Sequence, residues 1–339
     1  MKKNKPKIII ILGPTASGKT KLAVKLANKF NGEIISADSR QVYEGMDIGT
    51  GKDLEDYLIQ DTRYKIQDTK KSQISNKFQN QNSKFRIQKI PYHLIDVAGP
   101  KTTFNVAKWL KLTHKAIDDI FKRGKTPFVV GGTGLYISAL IEGYNLAGTK
   151  PNLKLRKKLE KQSLEILLAR LKKIDPITYK KIDKKNKRRV VRALEVCLAY
   201  PEGWQTFANL RGKVKPNFDF LLLGVNRPRD ETIKLIDKRV EKQLDQGMIK
   251  EVEQLHKQGV SWKRLDDFGL EYRWISRYLR GKLAREEMIK KLKISIHQFA
   301  KRQMTWFRGM DEVRWVKWFG DANKLVNKFL ADSNSSNSL

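Results

Sequence analysis

The sequence predicts an α/β protein: a parallel-sheet core flanked by helices, with a mainly helical insertion. Three observations carry that expectation. Short apolar runs alternate with helical periodicities, the β-α-β order of a doubly wound sheet. Two of the runs end in glycine-rich turns that open into helices. From about residue 141 to 200 the texture turns helical and strongly basic.

The first apolar run, Ile8-Ile9-Ile10-Ile11-Leu12, leads into Gly13-Pro14-Thr15-Ala16-Ser17-Gly18-Lys19-Thr20, and Leu22, Val24, Leu26, Ala27 and Phe30 follow at helical spacing. This is G-x-x-x-x-G-K-[ST] in the strand–loop–helix setting of a phosphate-binding loop, and it predicts a P-loop NTPase-like core. Glycines let consecutive N–H groups turn inward on an anion, and the helix N-terminus adds partial positive charge. Lys19 supplies an ammonium, and the Thr20 hydroxyl is a candidate ligand for Mg²⁺. The motif reports a phosphate without saying whether it belongs to a nucleotide such as ATP.

At 339 residues the chain is long enough for one large domain or two smaller ones. Hydrophobic residues at 40% and charged residues at 31% are those of a globular protein, and no apolar run reaches membrane-spanning length, so no membrane partner is expected. The basic N-terminus precedes a buried strand rather than a signal peptide. A lone cysteine, Cys197, excludes an internal disulfide and a multi-cysteine zinc site, and the cytoplasm is the default address. Lys and Arg total 70 against 36 Asp and Glu, a net charge of +34. Such a surface draws polyanions, although an AT-rich genome that inflates lysine has the same effect.

In chain order, Glu33-Ile34-Ile35-Ser36 reads as a second strand with Asp38 at its C-terminal end, followed by Ser39, Arg40 and Gln41. Ligands of open α/β sheets bind outside that end of the strands. Asp38 is there a metal ligand or general base, or else a turn aspartate or helix cap. Residues 60–89 are a polar insertion rich in Gln, Asn, Lys and Ser, disordered or a small hairpin. Ile90–Val97 reads as a strand in which His93 either touches a ligand or, as is commoner for a lone histidine there, is structural, and Phe104–Phe121 as an amphipathic helix. Pro127–Val130 is another buried strand, and it opens through Gly131-Gly132-Thr133-Gly134 into a helix. The Thr133 hydroxyl and free amides there suit a second anion or a base edge, unless the glycines serve only packing. Lys184–Arg192 holds six cations in nine residues, and Arg188, Arg189 and Arg192 are spaced to share a helix face, either a solvated basic face or, as the density of cations favours, a phosphate contact. Phe220–Val225 is a further strand. Arg229 follows its end, either approaching the phosphate loop or lying on the surface at a helix start. In Lys301-Arg302-Gln303-Met304-Thr305-Trp306-Phe307-Arg308, cations and aromatics interleave as on nucleic-acid surfaces, with Met304 and Phe307 suited to the core.

These features set the expected domains. The first part of the core is 1–140, and a basic helical insertion domain is 141–200. The second part of the core is 201–325, and a disordered tail is 326–339.

Taken together the motifs resemble one family. They are Gly13–Thr20, Asp38-Ser39-Arg40-Gln41, Gly-Met-Asp-Ile-Gly-Thr at 45–50, His-Leu-Ile-Asp at 93–96, Val-Gly-Gly-Thr-Gly-Leu-Tyr at 130–136, Arg-Ala-Leu-Glu-Val at 192–196, and 301–308. In that order they are similar to the bacterial tRNA dimethylallyltransferases. The resemblance implies transfer of a dimethylallyl group from dimethylallyl diphosphate to N6 of the adenosine 3′-adjacent to the anticodon, position 37 of tRNA. It implies that Gly13, Pro14, Thr15, Ala16, Ser17, Gly18, Lys19 and Thr20 hold the diphosphate with Mg²⁺ on Thr20. It makes Asp38 the base, Thr133 a contact to the adenosine, and Arg229 a third catalytic group on the diphosphate. Contacts to the anticodon arm fall to Asp38, Ser39, Arg40, Gln41, Thr133, Arg188, Arg189 and Arg192, and in the last helix to Lys301, Arg302, Gln303, Thr305, Trp306 and Arg308. A monomer is expected. Departures from the family pattern are the long 60–89 insertion and Glu271 within Phe268-Gly269-Leu270-Glu271-Tyr272. The alternatives are an ATP-dependent small-molecule or nucleoside kinase, which lacks an evident arginine-bearing lid here, and a non-catalytic P-loop RNA-binding protein.

Overall fold

The fold is taken from a computed structural model, which describes residues 5–65, 85–144, 152–199 and 216–332. Its strands are β1 (Lys7–Leu12), β2 (Gly32–Ser36), β3 (Leu58–Lys65), β4 (Phe85–Lys89), β5 (Tyr92–His93), β6 (Thr126–Gly131), β7 (Asp219–Val225) and β8 (Arg314–Val316). Its helices are α1 (Lys19–Lys29), α2 (Val106–Lys122), α3 (Gly134–Ile141), α4 (Leu153–Glu160), α5 (Leu164–Ile174), α6 (Pro176–Lys181), α7 (Lys187–Ala199), α8 (Arg229–Asp245), α9 (Met248–Lys257), α10 (Trp262–Phe268), α11 (Leu270–Leu279), α12 (Arg285–Arg308) and α13 (Phe319–Ala331).

Six strands form one sheet in the order β5-β2-β6-β1-β7-β8, every pair parallel. Ile8 to Leu12 are wholly buried. A parallel strand covered on both faces needs this unbroken apolar run rather than an alternating one. β1 lies at the centre, in register with β6 from Ile9↔Phe128 to Leu12↔Gly131 and with β7 from Lys7↔Asp219 to Leu12↔Gly224. Because all six strands run the same way, every C-terminal turn emerges along one edge. One hydrophobic cluster joins the sheet to α1 and α13, through Val24, Leu26, Phe128, Leu223 and Val326. A second cluster packs Val42, Tyr43 and Met46 of the loop after β2 against α8–α12.

The chain separates into two compact units, Met1–Ile137 with Asn217–Leu339, and Ser138–Pro216. The sheet belongs to the first. The second holds α4–α7 around Leu159, Leu167, Leu171, Val190, Leu194 and Cys197. Three of its helices start on side-chain caps, Asn152, Ser163 and Asp175, each accepting a backbone N–H of the first turn.

Several sequence expectations change here. The disordered tail expected over 326–339 is corrected over its first residues, because α13 runs to Ala331 and Val326 is wholly buried. Residues 333–339 lie outside the described residues. The strand expected over Ile90–Val97 shrinks to Tyr92–His93, since Leu94 and Asp96 take φ of 63° and 53° and leave the sheet. The flanks of the polar insertion, β3 and β4, pair antiparallel from Leu58↔Lys89, and 66–84 lie outside the described residues. β8 carries no local strand signal and adds an edge beside β7. No described helix is long and apolar enough to cross a membrane.

At the sheet end opposite the C-terminal turns, Glu33 is 2% exposed. Both its carboxylate oxygens take bonds from Arg123, Lys125 Nζ lies 2.8 Å from Oε1, and His93 Nε2 lies 2.7 Å from Oε2. His93 is therefore a structural partner. The Arg123 bonds, reinforced by Lys125 and His93, hold the Glu33 carboxyl far below the usual glutamate range against the opposing effect of burial. Replacing Glu33 with Gln leaves three donors short of a charge, and is expected to cost about 2–3 kcal/mol of stability at neutral pH. A carboxylate with a depressed folded pKa contributes above its unfolded pKa and loses that contribution as pH falls. Denaturant midpoints for the two proteins should therefore differ most near pH 7 and converge below the ordinary glutamate value of 4.5.

Candidate active site

The loop after β1 has the conformation an anion cradle needs. Ala16 and Gly18 take φ of 61° and 84°, in the left-handed region that turns successive amides inward. Gly18 also caps α1, whose free N–H groups face the same space. Ser17 is 1% exposed, and its Oγ has no hydrogen-bond partner among the described residues. A buried orphan hydroxyl in a phosphate loop marks a place for a ligand oxygen. Lys19 Nζ is held back on the Pro14 carbonyl at 3.3 Å.

Two arginines border this loop, and neither is among the residues the sequence singled out. Arg227 Nε donates to the Ser17 carbonyl at 3.0 Å. Arg239, in mid-α8, places Nη1 3.4 Å from Thr15 Oγ1, and its guanidinium packs over Gly51. Arg229, which the sequence does single out, is exposed at the start of α8. It lines a cleft of about 970 Å³ with Pro14, Arg227, Lys301, Thr305 and Arg308. Loss of hydration in the loop lowers the Lys19 pKa to about 8, Asp38 opposes that shift, and the positive charge of Arg239 adds to it. Lys19, Arg239 and Asp38 are thus within electrostatic reach of one another.

Asp38 sits just past β2. Its Oδ1 accepts the backbone N–H of Arg40 at 2.8 Å and of Gln41 at 3.3 Å, an Asx turn. Its Oδ2 has no hydrogen-bond partner among the described residues. Asp38 therefore combines a local turn role with one open oxygen. The turn after β6 holds its backbone from the side. Thr133 N donates to the Ala37 carbonyl at 3.1 Å, and Thr133 Oγ1 accepts the Ser39 N–H at 3.0 Å. Gly131 is required here, since a Cβ would collide with the Ala37 carbonyl. Beneath, Trp109 Nε1 donates to the Ser36 carbonyl at 2.9 Å and its ring stacks on Tyr136 at 4.7 Å.

The other residues of the motif face inward. The Arg40 guanidinium pairs with Glu271, both largely buried. Gln41 Nε2 donates to the Gly51 carbonyl at 3.1 Å, while Ser36 Oγ donates to its Oε1 at 3.2 Å. The following loop is pinned by two buried charges. Lys52, its side chain 1% exposed, bonds Asp96, Asp47 at 2.8 Å and the Tyr43 carbonyl at 2.6 Å. Glu251 accepts the amides of Asp47, Ile48 and Gly49 at 2.8, 2.6 and 3.1 Å and the Tyr272 hydroxyl at 2.8 Å.

At the end of α12, Lys301, Arg302, Thr305, Trp306 and Arg308 are exposed, whereas Gln303 and Phe307 are buried. The Trp306 ring lies where a Cβ on Gly134 would stand, beside Thr133. Arg188, Arg189 and Arg192 belong to the second unit, on α7. Arg188 and Arg189 are exposed, while Arg192 and Arg156 flank the buried Glu195 carboxylate at 2.6 and 2.8 Å. Among the described residues no group of three or more His, Cys, Asp or Glu side chains can hold a metal.

Two family models match the chain, "Isopentenyl transferase" over residues 6–91 and "IPP transferase" over residues 70–310. The chain is 41% identical over 315 residues to tRNA dimethylallyltransferase 1 of Syntrophus aciditrophicus, covering 91% of this chain and 93% of that protein. It is 39% identical over 323 residues to tRNA dimethylallyltransferase 2 of Citrifermentans bemidjiense, covering 93% and 92%. Among solved structures, the full-length tRNA isopentenylpyrophosphate transferase of Bacillus halodurans aligns over 98% of each chain with 32% identity and a TM-score of 0.63. A eukaryotic dimethylallyltransferase, whose structures capture it acting on tRNA, aligns over 92% of this chain and 74% of that one, with 26% identity and a TM-score of 0.69.

The lowered pKa of Lys19 has a measurable consequence. Its charge is lost as pH rises through about 8, and with it part of the pull on an anion in the loop. Inorganic diphosphate is expected to bind progressively more weakly from pH 7 to 9.5, and Lys19→Arg to flatten that dependence. Calorimetric titration at several pH values decides it; equal slopes for both proteins would remove Lys19 as the titrating group.

Proposed function

The chain belongs to the tRNA dimethylallyltransferase family, enzymes that transfer a prenyl group to tRNA, and from that premise we propose the donor, the acceptor atom and the residues that act on each. The donor is dimethylallyl diphosphate, and the acceptor is N6 of the adenosine at position 37, next to the anticodon. The observation that carries this reading is the open Asp38 oxygen, set one strand away from an anion loop.

The reaction forms a bond between N6 and C1 of the prenyl group and breaks the bond from C1 to the diphosphate oxygen. The N6 proton passes to Asp38 Oδ2, and the diphosphate keeps the electron pair. A positioned base speeds such a step by about 10²–10⁴. The amides of residues 16, 18 and 19, Lys19 and Arg239 receive the diphosphate, with Arg227 steadying the loop through Ser17. The Ser17 and Thr20 hydroxyls fit Mg²⁺, which takes few protein ligands beside phosphate oxygens. When bound, the ion supplies further positive charge for the leaving group. An adenine cannot be alkylated at N6 while stacked in the loop, so it must be flipped into the site. The Thr133 hydroxyl and the Trp306 ring, which packs against Gly134 beside it, are proposed to contact the base. The exposed cations of α12 and the Arg188–Arg189 pair of the second unit are proposed to meet the anticodon arm. The enzyme is proposed to act as a monomer in the cytoplasm.

The test is transfer of label from radiolabelled dimethylallyl diphosphate to unmodified tRNA in Mg²⁺, with ATP in a parallel tube. Label should appear at the adenine beside the anticodon, and Asp38→Asn should slow transfer by about 10²–10⁴ while tRNA affinity holds. Phosphate transferred from ATP with no labelled tRNA would replace the reading with a kinase.

The arginines give a separate expectation. Arg239→Gln should reduce transfer by about 10²-fold, as for loss of one group that stabilises charge at the leaving atom. Arg229→Gln should reduce it much less. Parallel turnover measurements distinguish them, and the reverse ranking would return Arg229 to the diphosphate.

A further inference from the structure

We propose that Gln303 is a positioning residue that sets the separation between the diphosphate loop and the turn carrying the acceptor-side groups. The inference rests on the transfer reading above and deepens it. It gives this side chain a role other than contact with RNA.

Along the last turns of α12 Lys301, Arg302 and Arg308 are exposed, but Gln303 turns in and is 7% exposed. Both ends of its amide are used. Oε1 accepts the Thr15 N–H at 2.9 Å, and Nε2 donates to the Gly132 carbonyl at 2.8 Å. The demand at each end fixes which way the amide points, since an N–H needs the oxygen and a carbonyl needs the nitrogen. Gly132 makes room for it, because a Cβ there would strike Nε2.

The placement has a geometric meaning. Pairing between β1 and β6 ends at Leu12↔Gly131. Beyond that point the two loops separate, one to bind the diphosphate and the other to hold Thr133 and Asp38. The Gln303 amide stands between them like one more peptide group of the ladder. A chain of bonds then runs from Thr15 through Gln303 to Gly132, and onward from Thr133 to Ala37 and Ser39, which flank Asp38. Displacement at C1 needs the nucleophile and the leaving group at fixed positions on opposite sides of one carbon. A misplacement of about 1 Å can cost on the order of 10²-fold in such a step.

Neither Leu nor Asn can reproduce the bridge. Leu has no polar atoms, and Asn is one methylene too short to reach both loops. The experiment compares wild type, Gln303→Leu and Gln303→Asn, each assayed well below its unfolding midpoint. It measures turnover at saturating dimethylallyl diphosphate and tRNA, the Kd for tRNA without donor, and the Kd for inorganic diphosphate. Both variants should lose about 10- to 100-fold in turnover, bind diphosphate several-fold more weakly, and keep the tRNA Kd within twofold. A raised tRNA Kd with turnover retained would make Gln303 an RNA contact and overturn the inference. A lowered unfolding midpoint with turnover and diphosphate binding retained would also overturn it, leaving a packing role. If the wild type transfers no prenyl group, the transfer reading fails, and the diphosphate Kd still decides whether Gln303 orders the loop.

Discussion

The arrangement of the site depends on β6 lying between β1 and β2. That strand order places the anion loop on one side of the β6 turn and Asp38 on the other. It also lets the ladder continue past the strands: Ala37 N donates to Val130 O at 2.8 Å, and Thr133 N to Ala37 O at 3.1 Å. Asp38 is therefore held by an extension of the sheet rather than by a loop of its own. Gly131 permits the close approach, and Trp109 secures the Ser36 carbonyl from below. Groups held this way need little rearrangement when a substrate arrives, which is how a folded scaffold lowers the entropic part of a barrier.

The chain between Gln41 and Lys52 meets a different constraint. It contains no regular helix or strand, yet much of it is buried, so its backbone groups must find partners elsewhere. Glu251 satisfies three amides at once, and Lys52 closes the other side through Asp47, Asp96 and the Tyr43 carbonyl. Buried charges of this kind contribute little net stability, because desolvation offsets much of their attraction. What they do here is define one loop conformation. The Arg40–Glu271 pair ties the Asp38 turn to α11, and Tyr272 on the same helix reaches Glu251. Helices far along the chain thus fix a loop near its start. Glu271, a departure from the family pattern, is part of that tie.

What the sequence reveals and conceals follows from locality. The phosphate loop, the buried strands and the position of Asp38 are set by neighbouring residues, and they are legible without the structure. Arg239 is not, because nothing near it on α8 says which side of that helix will face the loop. Gln303 is an instructive miss. Its surroundings, Lys301-Arg302 and Thr305-Trp306, read as an outward RNA surface. Yet Ile296, Ala300, Gln303 and Phe307 follow helical spacing, and all four are buried. A polar side chain in an apolar stripe was the available signal. β8 was concealed for another reason: an edge strand of three residues owes its pairing to the neighbouring strand.

The same strand order accounts for how charge is distributed across the site. In the transfer proposed, negative charge grows on the departing oxygen while positive charge grows on N6. The two centres lie on either side of C1. Lys19, Arg227 and Arg239 come from α1, the turn after β7 and α8, and they surround the loop of β1. The carboxylate of Asp38 comes from β2, beyond β6. If β2 paired directly with β1, Asp38 would abut the cations and be neutralised by them, with no room for a carbon between. With β6 interposed, Asp38 still acts on Lys19 at a distance, as its opposition to the lowered Lys19 pKa shows. Each end of the reacting bond then faces charge of the sign it needs. This polarity is set by the backbone before any substrate binds, the condition under which fixed charges stabilise a transition state without reorganising. The net charge of +34 acts at longer range, speeding encounter with a polyanion but choosing no atom on it. The choice of atom falls to the few ångströms across β6.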